Sequence, residues 1–533
     1  MKQNFLKYIF LAIVIILIGL AIFFVYRDRQ NEQNNTSTVE EVAEEPTVLT
    51  ELRFSVVGYD TMNPILSTNR NIQDYSRLVF DSLLTLDENY HLQPCLATEW
   101  SRTGDTSYIL KLRNDVKWHD GSSFTANDVK FTIDRLKETA SIYAYNVQHV
   151  IQVDIIDDYT IKLTIDTPIP FFEYNLTFPI LSNNFYLEQD FQTTEKNTLP
   201  MGTGMYKVYQ NDATSIVLKK NQNYWDIQNR NAKVETITIT KYSSMGEVYN
   251  EFKLGNIDLL TTQTLNLEDY IGTIGFNKKE YKGRQQDYLA FNCTNNVLSH
   301  AEVRQAISYA IDKNSMIANV YNGKYETCNF PLDFGIWCYD SDTNSSGYNP
   351  DQAKQVLVDA GWTYRNNIWY KTENYRTLRL SFNLVVNNDN ANRVAVAEII
   401  KENLENVGIK VNIIKASNNQ YQNYLTNKNY DMILTGNYVP LSPDLTTYFG
   451  SNNLSNYQND EATSILNELS SVADESVFKE KIKRLYEIYK NDVPSISLYL
   501  NRNTVVYSQN LIGDVTPNCY NIFYHIENWY RQY

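Results

Sequence analysis

The sequence predicts a mixed α/β protein with at least two lobes, carried behind an apolar N-terminal helix. Three observations predict it. A strand–helix–strand pattern runs from Leu378 to Ile414, which implies parallel pairing and an α/β lobe. A capped helix and a hairpin pattern between Thr125 and Ile165 mark a separate, earlier body. The length, 533 residues, exceeds what one compact core accommodates.

The first 50 residues differ from the rest. Lys2 and Lys7 precede an uncharged apolar run, Tyr8–Tyr26, which ends at Arg27-Asp28-Arg29. As a helix that run spans roughly 28 Å, about one hydrocarbon core. A cleaved signal peptide has a shorter apolar stretch ending in small residues. Here the run ends Ala21-Ile22-Phe23-Phe24-Val25-Tyr26, and no Cys follows Leu17-Ile18-Gly19-Leu20 to accept a lipid. Residues 1–30 are therefore expected to be an uncleaved transmembrane anchor. Lys2, Lys7 and the terminal amine outweigh Arg27 and Arg29 only narrowly in setting its direction. Residues 31–49, polar and acidic through Pro46, read as a flexible linker.

In the body, Leu52–Val57 is a strand, broken by the turn-forming Asp60–Pro64 region. Tyr108–Leu112 is a second strand, leading to the turn Asp120-Gly121. Thr125 and Asp128 have the spacing of a capping box, and Val129, Ile133 and Leu136 make one apolar helix face. Ile151–Ile156 and Thr160–Ile165 flank Asp157-Asp158 as a hairpin whose Ile161, Leu163 and Ile165 are buried. Asn349-Pro350 caps a helix carrying Ala353, Val356, Leu357 and Ala360, ended by Gly361. Leu378, Leu380, Phe382 and Leu384 alternate as one strand. A helix over about Asn392–Val407 ends at Gly408 and is followed by the strands Ile409–Ile414 and Asp431–Thr435.

Composition narrows the chemistry. A net charge of −15, spread along the chain, argues against nucleic acid or anionic lipid as partner of the folded part. The five Cys residues form no CxxC pattern and the five His never fall at ligand spacing, so no metal is expected. Cys328 and Cys338 flank an aromatic segment and can close a loop disulfide outside the cell, although an odd count fits a full disulfide framework poorly. A nucleophile elbow, an HExxH helix and a Walker A loop are all absent. His119-Asp120-Gly121 reads as local hydrogen bonding, Trp100, Trp118 and Trp225 as core anchors, and Arg304 and Asp312 as surface or capping groups. Neither an enzyme nor a cofactor is expected.

Ordered blocks from Leu52 to the C-terminus resemble a known family. They include Val79-Phe80-Asp81-Ser82-Leu83-Leu84, Pro94–Trp100, Leu112–Gly121, Pro200-Met201-Gly202-Thr203-Gly204-Met205-Tyr206, Asn223-Tyr224-Trp225, Val303–Asp312, Ala353–Gly361 and Pro494–Tyr499. The set resembles the peptide- and nickel-binding class of ABC-transporter substrate-binding proteins, over about nine tenths of the chain. The resemblance implies a two-lobed periplasmic-binding-protein-like fold with the ligand held between lobes that close by hinge motion. It implies lobe I from 50–87, 200–283 and 500–533, an inserted subdomain at 88–199, and lobe II at 284–499. It also implies ligand contacts at Ser67, Thr68, Asn69 and Arg70 in lobe I. In lobe II the contacts fall within Gly436 to Asp444, at Gly436, Asn437, Tyr438 and Asp444, with peptide backbone pairing to protein strands.

Two positions depart from the family pattern. Met205 replaces a proline in the Gly-Thr-Gly-Pro-Tyr block, which costs rigidity but leaves the fold intact. Pro440 falls where peptide-binding members carry an Asp for the ligand's ammonium group, and Asp444 can substitute only in a rearranged loop. The implied function is capture of peptides, with oligopeptides the expected class, by a monomer on the extracytoplasmic side of the cell membrane, for delivery to ABC permease subunits. The alternative is a membrane-anchored peptide sensor without transport. Nickel uptake is disfavoured by the scattered His residues.

Overall fold

The structure is a computed structural model that describes residues 2–34, 48–187, 190–340, 347–472 and 474–532. Two units divide the chain, residues 1–48 with 532–533, and Leu49–Arg531. The first contains the helix Lys2–Asn34. Most side chains described on it, among them Ile13, Ile16, Leu17, Leu20 and Phe24, are exposed. Side chains of residues 2–11, the first part of the expected anchor, lie outside the described residues, as do residues 35–47 of the expected linker. Among the described residues no helix is long and apolar enough to cross a membrane. The helix continues to Asn34, through the first residues of the expected linker.

In the second unit, strand Glu51–Val57 runs parallel to Thr236–Tyr242, which pairs antiparallel with Ser215–Lys220 and through it with Tyr206–Asn211. Alternation buries Leu52, Phe54 and Val56 on one face, where Phe54, Tyr75 and Phe523 pack against one another as a three-ring cluster. A separate antiparallel sheet orders Ala97–Gly104, Ser107–Leu112, Thr160–Ile165 and Val150–Asp157. The helix Ala126–Glu138 accompanies it, with the Asp128 carboxylate accepting the Thr125 amide at 2.8 Å and Val129, Ile133 and Leu136 buried as the periodicity predicts.

The Gly202-Thr203-Gly204 block is explained by close backbone approach. A Cβ on Gly202 would lie 1.8 Å from the Val79 carbonyl oxygen, and one on Gly204 would lie 2.6 Å from the Val79 carbonyl carbon. Thr203 and Trp225 both donate to the Asp81 carboxylate at 2.9 Å, while Met205 is buried with no loss of the local fold. His119 bridges the same block. Its Nδ1 accepts from the Gly202 amide at 3.3 Å, which places the proton on Nε2, donated to the Gly204 carbonyl at 3.1 Å. Burial pushes this imidazole down to about 4.

The largest sheet has the order Leu259–Thr262, Ser495–Ser508, Phe276–Phe291, Met432–Tyr438, Ser381–Asn387, Lys410–Ala416, with Glu326–Thr327 beside Ser495–Ser508. Ser381–Asn387 and Lys410–Ala416 are parallel and joined by the helix Ala391–Asn406, the βαβ unit expected from the sequence. The two long strands, Phe276–Phe291 and Ser495–Ser508, pair from Phe276↔Ser508 to Ala290↔Ser495. At one end they meet Leu259–Thr262, at the other Met432–Tyr438, so a single ribbon belongs to both lobes. Its register breaks between Lys282 and Gln286. There the buried Asn501 side chain accepts the Gln285 amide at 2.9 Å, and a Cβ on Gly283 would lie 2.0 Å from that Asn501 oxygen.

Two sequence expectations need correction. The run Leu378–Leu384 is not one strand: Arg376–Arg379 closes a small sheet with Thr363–Arg365 and Ile368–Glu373, and Ser381–Asn387 enters the large sheet. The Leu380 amide turns aside to the Trp369 carbonyl, which breaks the run. Cys328 and Cys338 are not bonded, all five cysteines being free. The Cys328 thiol donates instead to the Phe330 carbonyl at 3.1 Å, and the segment is held by aromatic packing, Tyr90 on Phe334 and His91 on Trp337. Of the surface and capping roles open to Arg304, the structure shows capping, with the side chain buried. Its guanidinium caps a helix end, donating to the Asp492, Val493 and Leu298 carbonyls, while Asp312 caps the next helix through the Ser315 amide.

Two measurements check these contacts. The His119 pKa is lower in the folded chain than its ordinary 6.5, so the unfolded chain takes up the proton first as pH falls. That stabilisation is complete above about pH 6.5 and is lost as pH falls toward 4. The native chain's advantage over His119→Gln in urea unfolding therefore shrinks by about 2 kcal/mol between about pH 7 and about pH 4.5; a pH-independent difference contradicts the buried neutral ring. At the ribbon, Gly283→Ala expels Asn501 and costs about 1–3 kcal/mol by orphaning the Gln285 amide. In an Asn501→Ala background it should cost little more, and additive losses contradict the plug.

Candidate functional site: a cleft between the lobes

The loop before the helix Arg70–Val79 is tied down from within. Asp60 accepts the Ser67 hydroxyl at 2.7 Å and the Thr68 amide at 2.8 Å. Asn69 caps the helix, accepting the Asn71 and Ile72 amides while its own amide group donates to the Val57 and Gly58 carbonyls. Ser67 and Asn69 are thereby spent on the loop's own fold, and Thr68 and Arg70 are left to line a cavity of about 430 Å³. Arg70, Asp74 and Arg77 follow at i, i+4 and i+7, one face of the helix, and all three line this cavity.

Across from them lie Arg284 of the long ribbon and the turn Pro440-Leu441-Ser442. A second cavity of about 610 Å³ shares Arg70, Asp74, Arg284 and Cys519 with the first and adds Tyr281, Tyr438 and Asn501. The two are compartments of one cleft beside the register break, in the size range of small-ligand sites. Its lining is rich in Tyr, including Tyr143, Tyr145, Tyr174 and Tyr520, which supply apolar faces with polar tips.

Asp74 is the one carboxylate on the described lining. Burial raises its pKa and the neighbouring Arg70 and Arg77 hold it down, while Asp74 in turn raises that of Arg70. The two pair at 3.4 Å, Asp74 only 5% exposed and Arg70 61%. Arg77 lies over the Tyr520 ring at 3.9 Å. Arg284 is tied to the segment after the strand Met432–Tyr438: its Nη1 donates to the Val439 carbonyl at 2.8 Å, and its own carbonyl accepts the Val439 amide at 2.8 Å. Burial and then the like charge of Arg70 lower the Arg284 pKa.

On the strand Met432–Tyr438, Gly436 pairs with Asp287, Asn437 with Gln286 and Tyr438 with Gln285. A Cβ on Gly436 would lie 2.1 Å from the Asp287 carboxylate, which is held by Arg393 at 2.7 Å, so only Gly fits over that ion pair. The Asn437 side chain accepts from the Tyr448 hydroxyl, and Tyr438 is exposed on the second cavity. Asp444 accepts the Thr446 amide at 2.8 Å and the Thr446 hydroxyl at 3.1 Å, and burial raises its pKa. It lines neither cavity, whereas Pro440 lines the first. Sequence reasoning missed Asp74, Arg77, Tyr281, Arg284 and Cys519. The charged i, i+4, i+7 stripe and the Gly283-Arg284 interruption of a strand were the available signals.

The chain is 25% identical to the oligopeptide-binding protein AppA of Bacillus subtilis over 98% of both chains. It is 26% identical to heme-binding protein A of Haemophilus influenzae, over 85% of this chain and 86% of that one. The crystal structure of HbpA2 from Haemophilus parasuis superposes with a TM-score of 0.77 at 21% identity, over 89% of this chain and 98% of that one, and shares the fold. The family model of the bacterial extracellular solute-binding proteins, family 5 Middle, matches residues 91–460, most of the second unit. The chain therefore belongs to the bacterial extracellular solute-binding proteins, family 5, and is a binding protein rather than an enzyme.

Proposed function

We propose that this protein captures peptides in the cleft between its lobes, outside the cytoplasm, and delivers them to the permease of an ABC importer. The observation that carries the reading is the pair of connected cavities at the ribbon, lined by Arg70 and Arg284 and bounded by both lobes. Similarity to the oligopeptide-binding protein AppA along 98% of the chain supports peptide as the solute, and similarity to heme-binding protein A makes heme the competitor. Within the site, Thr68, Arg70 and Tyr438 contact the ligand, while Ser67, Asn69, Gly436, Asn437 and Asp444 shape the backbone around it. The lobes divide as 50–87, 200–283 and 500–533, with 88–199 inserted, against 284–499. The register break after Lys282 supports that division. The body acts as a monomer.

Residues 1–30 anchor this body in the membrane. The support is a helix carrying an uncharged run from Tyr8 to Tyr26, whose described apolar side chains are exposed and costly to leave in water.

Native mass spectrometry of protein extracted from membranes reads both parts. The expected result is a full-length chain without lipid adduct, carrying a mixture of peptides released on denaturation. Heme in place of peptides, or an empty protein, overturns the solute assignment. A chain beginning within residues 20–50, or a diacylglycerol adduct, overturns the anchor.

A further inference from the structure

The small sheet of Thr363–Arg365, Ile368–Glu373 and Arg376–Arg379 takes no part in lining the cleft. Its inner face is fixed to the end of the helix Ala391–Asn406 by Trp369, which is buried and donates to the Val407 carbonyl at 2.7 Å. Tyr370, next in the strand, points the other way, and the register places Arg379 beside it. The Arg365 guanidinium lies over the Tyr370 ring at 4.6 Å. Within residues 363–379 the bases Arg365, Lys371, Arg376 and Arg379 meet a single acid, Glu373, in a chain whose net charge is −15. The carboxylates at this sheet are already engaged: His300 holds Glu373 at 3.0 Å, and Lys371 holds Glu302 at 3.7 Å. Among the described residues Arg365, Arg376 and Arg379, all exposed, have no carboxylate within ion-pair distance.

Charged edge strands ordinarily serve to block unwanted strand pairing. The turns of this sheet do not fit that role alone. Each hairpin closes through two residues with positive φ, the geometry that favours Asn and Gly. The first turn conforms, with Asn366-Asn367. The second sets Tyr375 at φ 61°, fully exposed, where a bulky side chain strains the backbone and its ring gains nothing from water. Nothing inside the fold repays that strain.

We propose that this sheet is a lipid-docking surface, with Tyr375 seated at the headgroup level of an anionic membrane and Arg365, Arg376 and Arg379 on lipid phosphates. A Tyr ring, apolar with a polar tip, favours that level, and guanidinium forks match phosphate. Charge and tether length both name the occupant. An acidic chain is repelled by an anionic bilayer except where its sign is locally reversed, and this sheet reverses it. Residues 35–47, between the N-terminal helix and the body, reach roughly 45 Å at most, which keeps the body beside the headgroups of the membrane that anchors it. The inference rests on the anchor reading and is independent of the solute.

Hydrogen–deuterium exchange of the full-length protein in nanodiscs tests this. Amides of residues 363–379 should exchange at least threefold more slowly in discs of phosphatidylcholine with phosphatidylglycerol than in phosphatidylcholine alone, and about 0.5 M NaCl should reverse the difference. The protection should disappear in the double variant Arg365→Gln, Arg379→Gln. It should also fall in Tyr375→Gly, whose thermal midpoint should equal or exceed the native one because the turn is relieved. Protection equal in the two lipids, or kept in both variants, overturns the surface. Protection that appears without lipid and grows with protein concentration overturns it in favour of a second copy of this chain. A chain that does not enter phosphatidylcholine discs counts against the anchor alone. Exchange is then read with phosphatidylglycerol vesicles added, and unprotected amides in 363–379 overturn the surface.

Discussion

The ribbon formed by Phe276–Phe291 and Ser495–Ser508 is the constraint from which the rest of the architecture follows. Its two strands pair along most of their length, so neither lobe can be moved without bending this ladder. One half is completed by Leu259–Thr262 and the other by Met432–Tyr438, and each half thereby carries a different core. The ladder is weakest between Lys282 and Gln286, where regular pairing is replaced by Asn501 against the Gln285 amide and where Gly283 admits that side chain. A register break is cheap to bend because few ladder bonds cross it. Register break and cleft coincide: Arg284 and Asn501 belong to the break and also line the cavities.

Around the ribbon, ordinary rules of burial decide what is scaffold and what is site. His119, Asp81, Asp60, Asn69, Asp444 and Arg304 are polar or charged, and each spends its capacity on nearby backbone or side-chain partners. They hold motifs together. Arg77 and Arg284 differ in keeping donors open to the cleft.

Much of the fold was legible because periodicity and caps are local. The Thr125–Asp128 box, the buried triplet Ile161, Leu163 and Ile165, and the βαβ unit ending at Gly408 all follow from short-range pattern. The long ribbon was not legible, since Lys278, Lys279 and Glu280 are exposed and erase the alternation in its first half, and its pairing partner lies over 200 residues away. The run Leu378–Leu384 misled because one alternating stretch supplies two sheets. In the site, resemblance pointed to the Ser67–Arg70 and Gly436–Asp444 segments, but sequence order cannot tell Thr68 and Arg70, which face the cleft, from Ser67 and Asn69, which face inward. Arg284 and Cys519 meet the helix Arg70–Val79 only through the tertiary fold.

The central claim is that a ligand in this cleft is held by both lobes and draws them together about the ribbon. Small-angle scattering of the protein stripped of ligand and then saturated with its own released peptides measures this directly. A smaller radius of gyration on saturation is the result expected of a ligand bridging two lobes. An unchanged radius, with binding verified on the same sample, would contradict it.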